Sequence, residues 1–97
     1  MLIGISVFEL HLPHARSLKE KRKVVKGLID RIHRRFRVSV AETDFHDLHQ
    51  RAEMGIAAIV RSDGDGRRLM DAIRELIDCQ HEATLSFWEP QFLEEGR

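Results

Sequence analysis

Asp44, His46, Asp47 and His49 place two carboxylates and two imidazoles within six residues, the densest group of chemically capable side chains in the sequence. Such groups can ligate zinc or another divalent ion, and an imidazole beside a carboxylate can move protons. The competing reading is a polar turn, where Asp is common because its side chain accepts from nearby amides. The turn is the stronger expectation, because no Cys accompanies the cluster and no HExxH spacing seats two imidazoles on one helix face. No metal or cofactor is therefore expected. Nor is any hydroxyl or thiol spaced with a base as an activated nucleophile, so the chain reads as a binding protein rather than an enzyme.

The second chemically loaded stretch is Arg16 to Arg37, RSLKEKRKVVKGLIDRIHRRFR. It holds ten of the sixteen Lys and Arg and only Glu20 and Asp30 in opposition, a net charge of +8 in a chain that sums to zero. Ser17 and Glu20 have the spacing of a capping box, with the hydroxyl on a first-turn amide and the carboxylate reaching back to the N–H of Ser17. Leu18, Val25, Leu28, Ile29, Ile32 and Phe36 then recur at helical spacing and form one apolar stripe. The expected helix spans residues 17–36. Its candidate nucleic-acid-binding residues are Arg16, Lys19, Arg22, Lys23, Lys26, Arg31, Arg34 and Arg35, which lie off the stripe. A solvated helix face also carries charge, and Asp30 to Arg34 has the spacing of an ion pair. Solvated faces usually mix signs, however, and like charges at this density repel until a polyanion relieves them. The amides near Ser17, with Arg16 and His14, offer a second phosphate seat for which Glu20 competes.

Stepping outward along the chain gives the elements that must hold these residues. Leu2 to Leu12 alternates as a strand, apolar on both sides over much of its length, and residues 37–43, 51–61 and 82–89 continue the strand pattern. Ala83, Leu85 and Phe87 are assigned to one face of the last strand and Trp88 to the other. SDGDG, Ser62 to Gly66, is a turn with Asp65 as the expected cap of a second amphipathic helix over 66–79. Pro90 is expected to end the last strand, leaving residues 91–97 as a frayed tail. The order is βαββαβ, an α+β, ferredoxin-like single domain over 1–97: a four-stranded antiparallel sheet with two helices on one face. The uncovered face, together with Trp88, predicts a homodimer formed through that face or through an edge strand.

Composition bounds the rest. A chain of 97 residues makes one domain, with no apolar run long enough for a membrane span and no signal-peptide pattern, so the expected compartment is the cytoplasm. The single Cys, Cys79, is expected to be a reduced thiol. Twelve of the bases are Arg and Asn is absent, which points to a thermophilic source.

Three segments also resemble the YlxP family of small bacterial proteins of unknown function: SLKEKRKVVK from Ser17 to Lys26, VSVAE from Val38 to Glu42, and DLHQRA from Asp47 to Ala52. The resemblance implies a ferredoxin-like fold and, because the family's gene commonly lies among translation genes, a role near the ribosome or its RNA. It supplies no catalytic residues, and His46 and His49 depart from the pattern. Other functions of this fold fit poorly. Acylphosphatase chemistry needs an Asn, a heavy-metal carrier needs CxxC, and an RRM needs stacking aromatics that RAEMGIAAIVR lacks. The partner expected is therefore structured RNA or a ribosomal particle, with a protein-binding adaptor or a homo-oligomeric interaction module as the alternative.

Overall fold

The computed structural model describes residues 1–96. Its elements are β1 (Leu2–His11), α1 (Leu18–Arg35), β2 (Ser39–Asp44), β3 (Arg51–Val60), α2 (Asp63–Asp78) and β4 (Thr84–Glu94). The strands form one sheet in the order β2-β3-β1-β4 with every pair antiparallel. On β1 the alternation buries Gly4, Ser6, Phe8 and Leu10. Phe8 and Leu10 meet Val25, Leu28 and Ile32 of α1 and Met70, Ile73 and Ile77 of α2 in one core, so both helices cover the same face. The ferredoxin-like architecture expected from the pattern is the one found.

The boundaries differ from expectation in ways that have physical reasons. β4 runs through Pro90 to Glu94, with Pro90 opposite Ser6 and Glu94 opposite Leu2, so residues 91–94 are not a frayed tail. β4 is an edge strand, and a proline whose missing N–H faces outward costs the ladder nothing. Arg37 and Val38 precede β2 rather than opening it. α2 starts earlier than residue 66: its cap is Ser62, whose hydroxyl accepts from the Asp65 amide at 3.1 Å, while Asp65 pairs with Arg61 and Arg68. The hydrogen bond from Arg68 holds the Asp65 carboxyl below the usual carboxylate range. In β4 a bulge places Leu85 opposite Leu10 and Phe87 opposite Glu9, skipping Ser86. Leu85 and Ala83 therefore share the core side with Trp88, and Phe87 alone faces outward. Trp88 packs on Phe8 with ring centroids 5.4 Å apart, so it supplies no driving force on the open face.

Two glycines test the packing of the helices on the sheet. At Gly66 a Cβ would lie inside contact distance of the Phe92 ring of β4, with Cδ1 at 3.0 Å, whereas at Gly27 of α1 it would meet nothing within 4 Å. Gly27→Ala is expected to stabilise by up to about 1 kcal/mol from helix propensity. Gly66→Ala gains the same propensity but overpacks the α2–β4 contact by roughly 1–3 kcal/mol, a net loss. Urea midpoints moving in opposite directions for the two variants are the expected result.

Candidate functional site

α1 is held by its apolar stripe, and its start is fixed by Ser17, whose hydroxyl accepts from the Glu20 amide at 3.2 Å. Glu20 does not return to Ser17 N–H; its Oε1 accepts from Arg16 N–H at 2.8 Å, one residue earlier. Glu20 thus takes the Arg16 amide, and the Ser17 hydroxyl takes that of Glu20, so two of the amides near Ser17 already have partners.

Arg16, Lys19, Arg22, Lys23, Lys26, Arg31, Arg34 and Arg35 are all exposed, so the fold presents every candidate to solvent. Among the described residues none of the eight forms an ion pair, and Asp30 does not pair with Arg34. α2 behaves differently. Arg68 and Arg61 share the single carboxylate of Asp65, Arg74 lies 3.7 Å from Asp78, and Arg67 sits over the Phe92 ring. Part of the excess on α1 has a use within the fold, since His33, Arg34 and Arg35 occupy the last turn, where cations offset the partial negative charge of the helix end. Lys19 sits in the first turn, where the helix dipole disfavours a cation.

One base of the stretch is spent internally. Lys21 is fully buried, with Nζ 2.7 Å from Glu42 Oε2 and 2.6 Å from the Phe45 carbonyl. The contact to Glu42 is an ion pair without hydrogen-bond alignment, and the aligned bond goes to Phe45. Phe45 takes a left-handed conformation at φ 63°, and Asp44 Oδ1 accepts from its N–H at 2.7 Å. The turn thereby aims the Phe45 carbonyl at Lys21 and at Leu48 N–H. Arg51 stacks over the Phe45 ring at 4.1 Å and pairs with Glu9 at 2.7 Å, while Gln50 donates to the Pro13 carbonyl at 3.3 Å. The SLKEK, VSVAE and DLHQRA segments, apart in sequence, meet at this end of the sheet.

This turn absorbs the histidine and aspartate cluster. Asp44 bonds Phe45, His46 Nε2 lies 3.3 Å from the Glu42 carbonyl, and Asp47 and His49 border a separate shallow cleft with His11. No three His, Cys, Asp or Glu among the described residues converge at metal-binding spacing. The sequence reading missed Lys21 and Glu42, although the signal was present. Lys21 precedes Val25 by four residues and Leu28 by seven, which places a base on the apolar stripe. Glu42 continues the inward row of Val38 and Val40.

A family model described as a protein of unknown function, DUF503, matches residues 3–89. The chain is 32% identical over 91 residues to the uncharacterized protein YlxP of Bacillus subtilis, covering 90% of this chain and 99% of that one. Its structure is similar to the solution structure of the de novo designed protein LFR1 1 with ferredoxin fold, at a TM-score of 0.52 and 16% identity, over 98% of this chain and 87% of that one. That last likeness concerns the fold alone. No helix among the described residues is long and apolar enough to cross a membrane.

Proposed function

The chain belongs to the DUF503 family of proteins of unknown function, and we propose that it is a non-enzymatic RNA-binding protein that lays the outer face of α1 along the phosphates of a structured RNA. Ribosomal RNA or a ribosomal precursor is the expected target. The observation that carries this reading is the set of exposed bases of α1 and its N-terminal flank without ion partners among the described residues, reaching Lys19 in the first turn, where the helix dipole disfavours a cation. Arg dominates the second half of the face, and its planar fork matches phosphate oxygens, while Lys19, Lys23 and Lys26 act as less directional charges. The outward residues of the two central strands, among them Ile3, Ile5, Val7, Ala57 and Ile59, include no Phe, Tyr or Trp; His11 stands at the end of the β1 row and Phe87 on the edge strand β4, so the sheet centre offers no aromatic platform. Recognition by α1 runs through backbone and shape. Titrating a labelled RNA hairpin at increasing salt tests it, with a log–log slope of roughly 0.7 to 0.9 per phosphate neutralised expected.

A homo-oligomeric reading has its own observation. Val7, Ile59, Phe87 and Leu93, four of the six exposed large hydrophobics, lie together on the uncovered face of the sheet, with Ile59 73% exposed. A second copy docking there buries the patch and leaves α1 free for RNA on the opposite side. Pro90 at the β4 edge favours face pairing over strand pairing. Sedimentation at micromolar concentration is expected to give a dimer mass that Ile59→Lys returns to monomer. A parent that sediments as a monomer throughout removes the dimer.

A further inference from the structure

Arg31, Arg34 and Arg35 also line one wall of a groove of ≈ 410 Å³ between the helices, whose other wall carries Ala72, Glu75, Leu76, Cys79 and Gln80 of the α2 side. The volume falls in the range of small-ligand sites. Three guanidiniums supply forked donors for an anion, and none is within ion-pairing distance of Glu75 among the described residues. Ala72 and Leu76 give the groove an apolar strip on which a flat, weakly polar group can lie.

Glu75 limits what the ligand can be. An exposed carboxylate in an arginine groove repels any anion set against it and accepts from hydroxyls, so the ligand's anion belongs on the arginines and a hydroxyl on Glu75. A ligand that suits Arg31, Arg34, Arg35, Glu75, Ala72 and Leu76 bears an anion, a hydroxyl donor close to it and a planar ring. An acidic peptide joins all three only where a Tyr stands beside its carboxylates, whereas a ribonucleotide joins them in one unit. Its 2′-hydroxyl is the group that separates RNA from DNA.

We infer that the groove between α1 and α2 takes one unpaired ribonucleotide of the bound RNA, with its phosphate on Arg31, Arg34 and Arg35, its ribose hydroxyl on Glu75 and its base against Ala72 and Leu76. The inference rests on the RNA reading and refines it: α1 supplies general attraction to phosphate, and the groove selects an unstacked loop or bulge nucleotide over a continuous duplex.

Cys79 provides a direct test, because it is the only Cys in the chain, is exposed and lines this groove. The rate of its alkylation by iodoacetamide is measured with and without a hairpin RNA carrying an unpaired loop, binding being followed separately by fluorescence anisotropy. At an RNA concentration ten times Kd, alkylation is expected to slow about tenfold, following the fraction of unoccupied protein. A DNA hairpin of the same sequence at equal occupancy is expected to leave the rate nearly unchanged, and Glu75→Ala to erase the difference between RNA and DNA. If the RNA binds by anisotropy but Cys79 reacts at the free rate, the groove assignment falls and the helix-face reading stands. If DNA protects as well as RNA, the ribose contact is wrong and the inference fails with it. If no RNA binds, both readings fail.

Discussion

Replacing Lys19, Lys23, Lys26, Arg31 and Arg34 together by Glu is expected to abolish RNA binding while leaving the domain folded. Five exposed cations become five anions on the face that carries the proposed contact, so attraction to phosphate turns into repulsion. The salt dependence should disappear along with the affinity. A surface neutralising six to ten phosphates loses roughly a thousandfold or more in affinity between 50 and 200 mM salt, and the variant keeps only Arg16, Arg22 and Arg35 of the eight bases, now outnumbered by five new anions. The effect on stability has opposing parts. Glu at position 19 suits the positive end of α1, whereas Glu at 31 and 34 near its other end costs about 0.3–1 kcal/mol each. Loss of binding with the circular dichroism spectrum retained and Tm moved by only a few degrees is the expected pair of results. A variant that binds the hairpin as tightly as the parent would reduce the α1 face to a solvated surface.

Lys21→Met is expected to be the most damaging single change in the chain, although it alters one of ten bases in the same stretch. It strands Glu42, whose side chain is 16% exposed, and removes the donor from the Phe45 carbonyl. Breaking one side of a buried ion pair costs roughly 3–5 kcal/mol, a large share of the 5–15 kcal/mol that typically holds a domain together. At 4–8 °C per kcal/mol for a domain of this size, Tm should fall by more than about 12 °C. The companion variant Lys21→Met with Glu42→Leu replaces both charges by apolar groups and should recover most of that loss. Thermal unfolding of the parent, the single and the double variant measures this. A single variant as stable as the parent would mean that the pair contributes nothing, and a double variant no better than the single would place the cost in the Phe45 turn instead.

These two experiments separate bases that sequence composition alone treats alike. Lys19, Lys21 and Lys23 alternate along one short run, yet at 100° per residue Lys21 turns inward while its neighbours point to solvent. A count of charge therefore overstates what the helix can offer a partner by the one lysine the fold consumes.

The order of elements, the antiparallel sheet and the ends of α1 were legible in the sequence because each depends on local information: strand alternation, helical periodicity and the Ser17 cap. The exposure of the basic face was legible for the same reason, since residues off an apolar stripe must face water. What only the tertiary structure decided are matters of pairing between distant segments. Whether Pro90 ends a strand depends on whether that strand is an edge, which is a property of the sheet and not of Pro90. The bulge at Ser86 that turns Leu85 inward arises from the match between β4 and β1. Asp44, His46, Asp47 and His49 are neighbours in sequence, but Asp44 and His46 bond to backbone of the turn while Asp47 and His49 border a cleft with His11. Conversely, Lys21 and Glu42 stand far apart in the chain and become partners because α1 packs across the end of β2. Local periodicity tells which side of an element a residue occupies, and only the packing of one element on another tells what waits for it there.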